Sequence, residues 1–317
     1  MSSIRARAEE YLAMRRALGF QLTSFEPKLL SFVGYLETHD LDVVTLDAAL
    51  TWATATPRSR DEVHWSRRLM VVRSFARHLV VLDPSTEVPP PDLLPHHYRR
   101  VTPYLFNDDE IGRLMHAADG LHPPLRALTW RTVLGLLTVT GLRVSEACGL
   151  DRADVDLDGL LLRVRNTKFG KHRLVPISPS TAEALRGYAV VRDTAFTEPV
   201  PAWFLNTRGR RVDQANLSHT FRTLMDAAGI AAPPGHRRPR LHDLRHGFAT
   251  TTLLEWYRDG GDVAARIPRL TTYLGHVDPK STYWYLTGTP QLLAQAAARL
   301  EDDLTEHDLN VNRREAP

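Results

Sequence analysis

The chain has 317 residues, length enough for about two domains, and its 43% hydrophobic and 24% charged residues are those of an ordinary globular protein. One cysteine, Cys148, excludes a disulfide framework or a cysteine-built metal site. No run of roughly 18 apolar residues offers a membrane span, Met1 to Tyr11 lacks the apolar core of a signal peptide, and the net charge of +3 is too mild by itself to name a partner, so the expectation is a cytoplasmic protein.

The first eighty or so residues read as helices. Residues 4–18 carry Tyr11, Leu12, Met14 and Leu18 at near-helical spacing, and Gly19 ends the run. Ser24 is a candidate N-cap for a helix over 28–36. Residues 45–53 and 65–82 predict two more, the last with Leu69, Val72, Phe75 and Leu79 inward and Arg67, Arg68 and Arg73 left for solvent or phosphate. Pro89-Pro90-Pro91 and Pro95 cannot sit inside a regular helix, and Arg99 and Arg100 add charge there. The predicted division is a helical domain over 1–88, a Pro-rich linker over 89–106 and a second domain over 107–317.

That second domain opens at Asn107, with Glu110 three residues on, the pattern of a capping box. An apolar helix over 125–139 follows and stops near Gly141. Short β-type runs come next, at 155–157, 160–164 and 173–177, with turns at Asp158-Gly159 and Lys168-Phe169-Gly170. After Ser178 the pattern is mainly helical, broken at Pro233-Pro234-Gly235. The fold class expected is mainly α with a small antiparallel β-sheet.

Charge distribution says more than net charge. No acid occurs between Gly159 and Ala182, where Arg163, Arg165, Lys168, Lys171 and Arg173 fall; Arg237, Arg238, Arg240 and Arg245 cluster around a single acid, Asp243. Solvated loops explain such runs as readily as DNA contact does.

Four separated segments carry the functional argument. They are Thr140-Gly141-Leu142-Arg143-Val144-Ser145-Glu146; the stretch from Thr167 to Pro176; His242-Asp243-Leu244-Arg245-His246; and Leu274-Gly275-His276, with Tyr285 nine residues later. Together, in this order, they resemble the boxes of the tyrosine recombinases, the phage integrase family. The resemblance spans about 107–286; the N-terminal helices are similar to the family's core-binding domain only in size, position and helicity. By resemblance Arg143 and Arg245 are the catalytic arginines, Glu146 the acid supporting the first, Lys168 the hairpin lysine, His242 and His276 the box histidines and Tyr285 the nucleophile. None of these seven positions departs from the family pattern. Lys171 shares the turn with Lys168, and Lys171, Arg163, Arg165 and Arg173 are the candidate DNA contacts.

The chemistry fits these residue types. Attack on a phosphodiester builds negative charge on oxygen, which positioned cationic donors stabilise. Arginine's planar fork binds two oxygens at once. His242 and Arg245, three apart on a helix, share a face, and His242 is placed to act as base or hydrogen-bond partner. His246 reads as a bystander or a residue one layer back. Lys168 would protonate the departing 5′ oxygen. On a helix Tyr283 and Tyr285 point about 200° apart, so only one can face the phosphate. Attack by Tyr285 would leave a 3′-phosphotyrosyl bond and a 5′-hydroxyl; no cofactor or metal is called for.

The resemblance implies a site-specific recombinase or integrase acting on double-stranded DNA, with two domains clamping the duplex and a homotetramer on paired sites. Residues 290–304 read as an amphipathic helix with Leu292, Leu293, Ala296 and Leu300, either docking on a neighbouring subunit or closing its own core. A type IB topoisomerase and a non-catalytic DNA-binding protein are the alternatives.

Overall fold

The computed structural model describes residues 3–55, 62–94, 102–165, 172–196, 198, 200–234, 236–276, 278–287, 294 and 297. Two compact units divide the chain, Met1–Arg100 and Val101–Pro317.

The first unit holds α1 (Ile4–Ala17), α2 (Glu26–Thr38), α3 (Leu46–Thr54) and α4 (Glu62–Leu79). Ser3 and Thr45 cap α1 and α3, their hydroxyls accepting from the Ala6 and Ala48 N–H groups. Phe32, Phe75, Leu29, Leu36, Leu69 and Leu79 fill the core between the helices. Three expectations need correction. Ser24 does not cap α2: Leu22, at φ 51, turns the chain so that its carbonyl takes the Phe25 and Glu26 N–H groups, and the helix starts there with Pro27 in its first turn. The fourth helix stops at Leu79, whose carbonyl receives the Leu82 and Asp83 N–H groups in a turn that leaves Val81 and Leu82 exposed. Arg68 and Arg73 do not face outward. Arg68 lies over Trp52, 3.7 Å from the ring centre, and Arg73 donates to the carbonyls of Pro89, Pro90 and Pro91 at 2.7, 2.6 and 3.1 Å. The triple proline is therefore fastened to α4.

In the second unit α5 (Asp108–Asp119), α6 (Pro124–Thr140) and α7 (Val144–Gly149) lead through a 3₁₀ turn, Arg152–Asp154, into β1 (Val155–Asp156), β2 (Leu161–Val164) and β3 (Arg173–Pro176). Then follow α8 (Pro179–Ala195), α9 (Gln214–Ala227), α10 (Leu241–Arg258), α11 (Val263–Leu274) and α12 (Lys280–Thr287). The sheet is antiparallel in the order β1-β2-β3, with Leu162 opposite both Val155 and Val175. Strand alternation buries Leu162 and Val164 and turns Arg163 and Arg165 outward.

The architecture is mainly helical with one small antiparallel sheet. Asn107 closes the expected capping box: its side chain accepts from Glu110 N–H and the Glu110 carboxylate accepts from Asn107 N–H, at 2.8 and 3.0 Å. The apolar α6 packs against α5, α8 and α10 and buries Trp130, Leu134 and Leu137. A separate cluster joins α10, α11 and α12 through Ala249, Leu253, Ile267, Leu270, Leu274 and Tyr285. Among the described residues no helix is long and apolar enough to cross a membrane.

Candidate active site

The site grows from two helix ends. Gly141 ends α6 and Gly275 ends α11, both in the left-handed conformation, at φ 59 and φ 67. An α-helix leaves its last carbonyls without partners inside the helix. At the end of α11 three consecutive carbonyls each take one arginine. Tyr273 receives Nε of Arg173 at 2.8 Å, Leu274 receives Nη2 of Arg245 at 2.7 Å, and Gly275 receives Nη2 of Arg143 at 3.1 Å. The negative end of the helix dipole favours cations there. Gly141 adds a fourth contact, its carbonyl accepting from Nη1 of Arg245 at 2.8 Å.

Glu146 holds two of these arginines. Its carboxylate accepts from Arg173 through both oxygens, at 2.9 and 2.8 Å, and from Arg143 at 2.7 Å. The Arg143 backbone N–H also donates to it, at 2.9 Å. Burial alone would raise the Glu146 carboxyl; the hydrogen bonds and charges of Arg173 and Arg143 outweigh burial and hold it at about 2. Arg245 is different. It is 1% exposed, and among the described residues no carboxylate pairs with it. Burial, then the charge of Arg143, push it down to about 10. Its hydrogen-bond partners among the described residues are the backbone carbonyls of Gly141 and Leu274, while the charges of Tyr285 and Glu146 favour the cation from farther away.

Three histidines stand beside these arginines. His242 and His246, one turn apart on α10, meet edge-on with ring centres 4.8 Å apart. Nδ1 of His246 is 3.1 Å from the Tyr285 hydroxyl. His276 lies 6.2 Å from the Tyr285 ring, nearly parallel to it, and its Nδ1 is 2.8 Å from Oγ1 of Thr282. Burial, then the surrounding arginines, push His242 down to about 4, although the residue as a whole is solvent-exposed. Burial comes first again for His276 and His246, both near 3, with Arg245 leading the charges on His276 and His242 leading those on His246.

Helix α12 separates the two tyrosines by packing: Tyr283 is 48% exposed and Tyr285 is 3% exposed. Five expected residues thus converge, namely Arg143, His242, Arg245, His276 and Tyr285, with Glu146 supporting Arg143. Lys168 and Lys171 lie outside the described residues. Arg163 is exposed on β2, and Arg165 is exposed and paired with Asp154. Arg173, expected as a DNA contact, is half-buried, its guanidinium donating to Glu146 and the Tyr273 carbonyl. His246, read from sequence as a bystander or a residue one layer back, lies within hydrogen-bond distance of the Tyr285 hydroxyl, and its place one turn beyond His242 on the same helix face is the sequence signal for it. Among the described residues no cluster of three His, Cys, Asp or Glu side chains is arranged to hold a metal.

The phage integrase family profile matches residues 105–291. The chain belongs to this family. An integrase/recombinase of Sinorhizobium fredii, y4rB, is 43% identical over 310 residues, covering 95% of this chain and 98% of the relative. The tyrosine recombinase XerD of Bifidobacterium longum is 30% identical over 309 residues, 90% of each chain. In fold, the Tn1549 transposon integrase in complex with transposon right end DNA is similar with a TM-score of 0.65, at 17% identity, over 93% of this chain and 98% of that one. The activity of this integrase-family chain is accordingly that of a tyrosine-type site-specific recombinase, a DNA strand transferase.

Proposed function

We propose that this recombinase cuts and rejoins double-stranded DNA through Tyr285, with a 3′-phosphotyrosyl intermediate and a 5′-hydroxyl on the released strand. The observation that carries the reading is the buried Arg245, without a carboxylate partner among the described residues, beside Arg143 and the Tyr285 hydroxyl. The anion assigned to these two arginines is the scissile phosphate. Arg143 and Arg245 use some N–H groups on protein carbonyls and Glu146, and a guanidinium has five. Those remaining stabilise the charge that develops on the non-bridging oxygens. With Nδ1 engaged by Thr282, His276 offers Nε2 to the same phosphate. His242 serves from the exposed side of the cluster. Lys168, in the segment of sequence joining β2 to β3, is assigned as the acid for the 5′ oxygen, with Lys171 three residues on as the alternative. Because the covalent link preserves the bond energy, rejoining consumes no ATP.

Partners follow from the same chemistry. The substrate is duplex DNA, gripped by the N-terminal helical unit as well as the catalytic one. Two sites are brought together by a homotetramer in the cytoplasm, and a mobile element, as in the transposon integrase of similar fold, supplies the DNA ends.

The test is covalent capture. The full chain is incubated with a pool of nicked random-sequence duplexes whose cleavage releases a short 5′-hydroxyl fragment, so rejoining is blocked. A denaturation-resistant protein–DNA adduct should form and map to Tyr285 by mass spectrometry. Tyr285→Phe should bind DNA without forming it, and Tyr283→Phe should retain it. An adduct on Tyr283 would overturn the assignment. No adduct from any pool would overturn catalysis.

A further inference from the structure

The phenol of a tyrosine nucleophile has to lose its proton, and the structure puts an imidazole within reach of it. Nδ1 of His246 is 3.1 Å from Oη of Tyr285. The ring is clamped there, its centre 5.5 Å from both the Trp284 and Tyr285 rings on α12 and 4.8 Å from the His242 ring on its own helix. We propose that His246 takes the phenolic proton of Tyr285 as the tyrosine attacks phosphorus. This rests on the reading of Tyr285 as nucleophile and adds a catalytic residue to it, separate from His242.

Geometry comes first. A general base must lie within hydrogen-bond reach of the proton it removes, and His246 does. Its protonation state fits. The groups facing it are His242, Arg245 and Arg240 around the start of α10, Arg237 before that helix, and Tyr285 and Trp284 on α12. Burial and the cations among them keep the ring neutral, and a neutral ring protonated on Nε2 presents the Nδ1 lone pair to the phenol. Arrival of the DNA phosphate offsets the charges of the arginines that weaken this base. The base therefore strengthens when the substrate is seated.

The step balances. The Oη–H bond breaks and its proton goes to Nδ1 of His246; the Oη–P bond forms, P–O5′ breaks, and the leaving oxygen takes a proton from the acid assigned to Lys168. In rejoining, the 5′-hydroxyl gives its proton back to that side, the Oη–P bond breaks, and the His246 proton returns to Oη. No proton is gained or lost over the cycle.

The experiment uses the full chain and the duplex captured above, made with oxygen or with sulfur as the 5′-bridging atom. A thiolate leaves without an acid, so the sulfur substrate reads the nucleophile's side alone. In His246→Asn the amide oxygen can still accept a hydrogen bond from Tyr285 but cannot take its proton. Single-turnover adduct formation should fall by about 10²-fold or more near neutral pH on both substrates. That deficit should shrink as pH rises and the phenol ionises without a base. A variant with the wild-type rate, or one slowed equally at every pH, would limit His246 to positioning and overturn the proposal. Should His246→Asn fail to fold, nitrogen-15 spectra of the imidazoles in the wild type and in Tyr285→Phe decide instead. An unprotonated Nδ1 whose signal moves in the Phe variant is expected; a protonated Nδ1 donating to Tyr285 overturns the idea. An adduct formed by Tyr285→Phe would strike at the nucleophile assignment, a distinguishable failure.

Discussion

Arg245 and Arg173 are both shielded arginines of the same site, yet their electrostatics differ. Arg173 sits in a two-pronged ion pair with Glu146, whereas Arg245 rests on the carbonyls of Gly141 and Leu274. Removing an uncompensated charge relieves a desolvation penalty, while removing a transition-state donor typically slows chemistry by about 10²–10³-fold. Arg245→Ala is therefore expected to cleave the captured duplex at least about 10²-fold more slowly while unfolding no more easily than expected for the packing lost. Arg245→Lys should not restore the rate, since an ammonium cannot span two carbonyls and a phosphate as the fork does. Single-turnover cleavage and urea melts check both halves; near-normal cleavage by the alanine variant would remove Arg245 from the phosphate clamp. In the sequence the spacing of the second box places Arg245 with His242 on one helix face, whereas nothing in the run around Arg173 marks its contact with Glu146. A basic, acid-free stretch cannot show that one of its arginines turns inward to Glu146, 27 residues earlier in the chain.

Helix ends, more than helices, build this site. The extents of α1, α3 and α6 and the start of α5 follow from periodicity, caps and the glycine stop at Gly141. What local pattern could not supply was the convergence of arginines from β3, α10 and the N-cap of α7 on the last carbonyls of α11, because those contacts join residues 29 to 132 apart. Gly275 tests the arrangement. Its φ of +67 penalises a side chain by roughly 1–2 kcal/mol. An added Cβ would also stand 2.8 Å from Nη1 of Arg173, inside van der Waals contact. Gly275→Ala should thus destabilise the catalytic unit by at least about 1 kcal/mol. It should also slow cleavage, because the Gly275 carbonyl that positions Arg143 moves with the strained turn. Gly187→Ala, on the middle of α8 with nothing within 4 Å of the added carbon, is the control and should leave cleavage unchanged. Equal behaviour of the two variants in denaturation and cleavage would show that the end of α11 does not set the site.

At the scale of the whole molecule, a cluster of arginines gathered around three partly shielded histidines makes stability depend on pH. His242, His246 and His276 are pushed down to about 4, 3 and 3 by burial and by the charges around them. In the unfolded chain each returns to about 6.5. Between those values the unfolded chain binds more protons than the folded one, so stability rises with pH across the interval. The histidine contribution is fully present above about pH 6.5 and is lost as pH falls toward about 4 and 3. Glu146 and Asp193, both held at about 2 in the folded protein, act in the same direction but later. Their contribution is intact above the ordinary carboxylate values near about 4 and is lost toward about 2. Acid sensitivity of the catalytic unit should therefore begin at about pH 6, before ordinary carboxylates protonate. Urea midpoints measured between about pH 7.5 and 5 should fall in the wild type and fall less steeply when all three histidines are replaced by Asn. Bound DNA should flatten the same interval in the wild type, because a phosphate seated between Arg143 and Arg245 lets the neighbouring imidazoles accept protons without unfolding. A slope left unchanged by the triple replacement would place the acid sensitivity elsewhere in the chain, and a slope left unchanged by DNA would mean that the phosphate does not bind among these arginines and histidines.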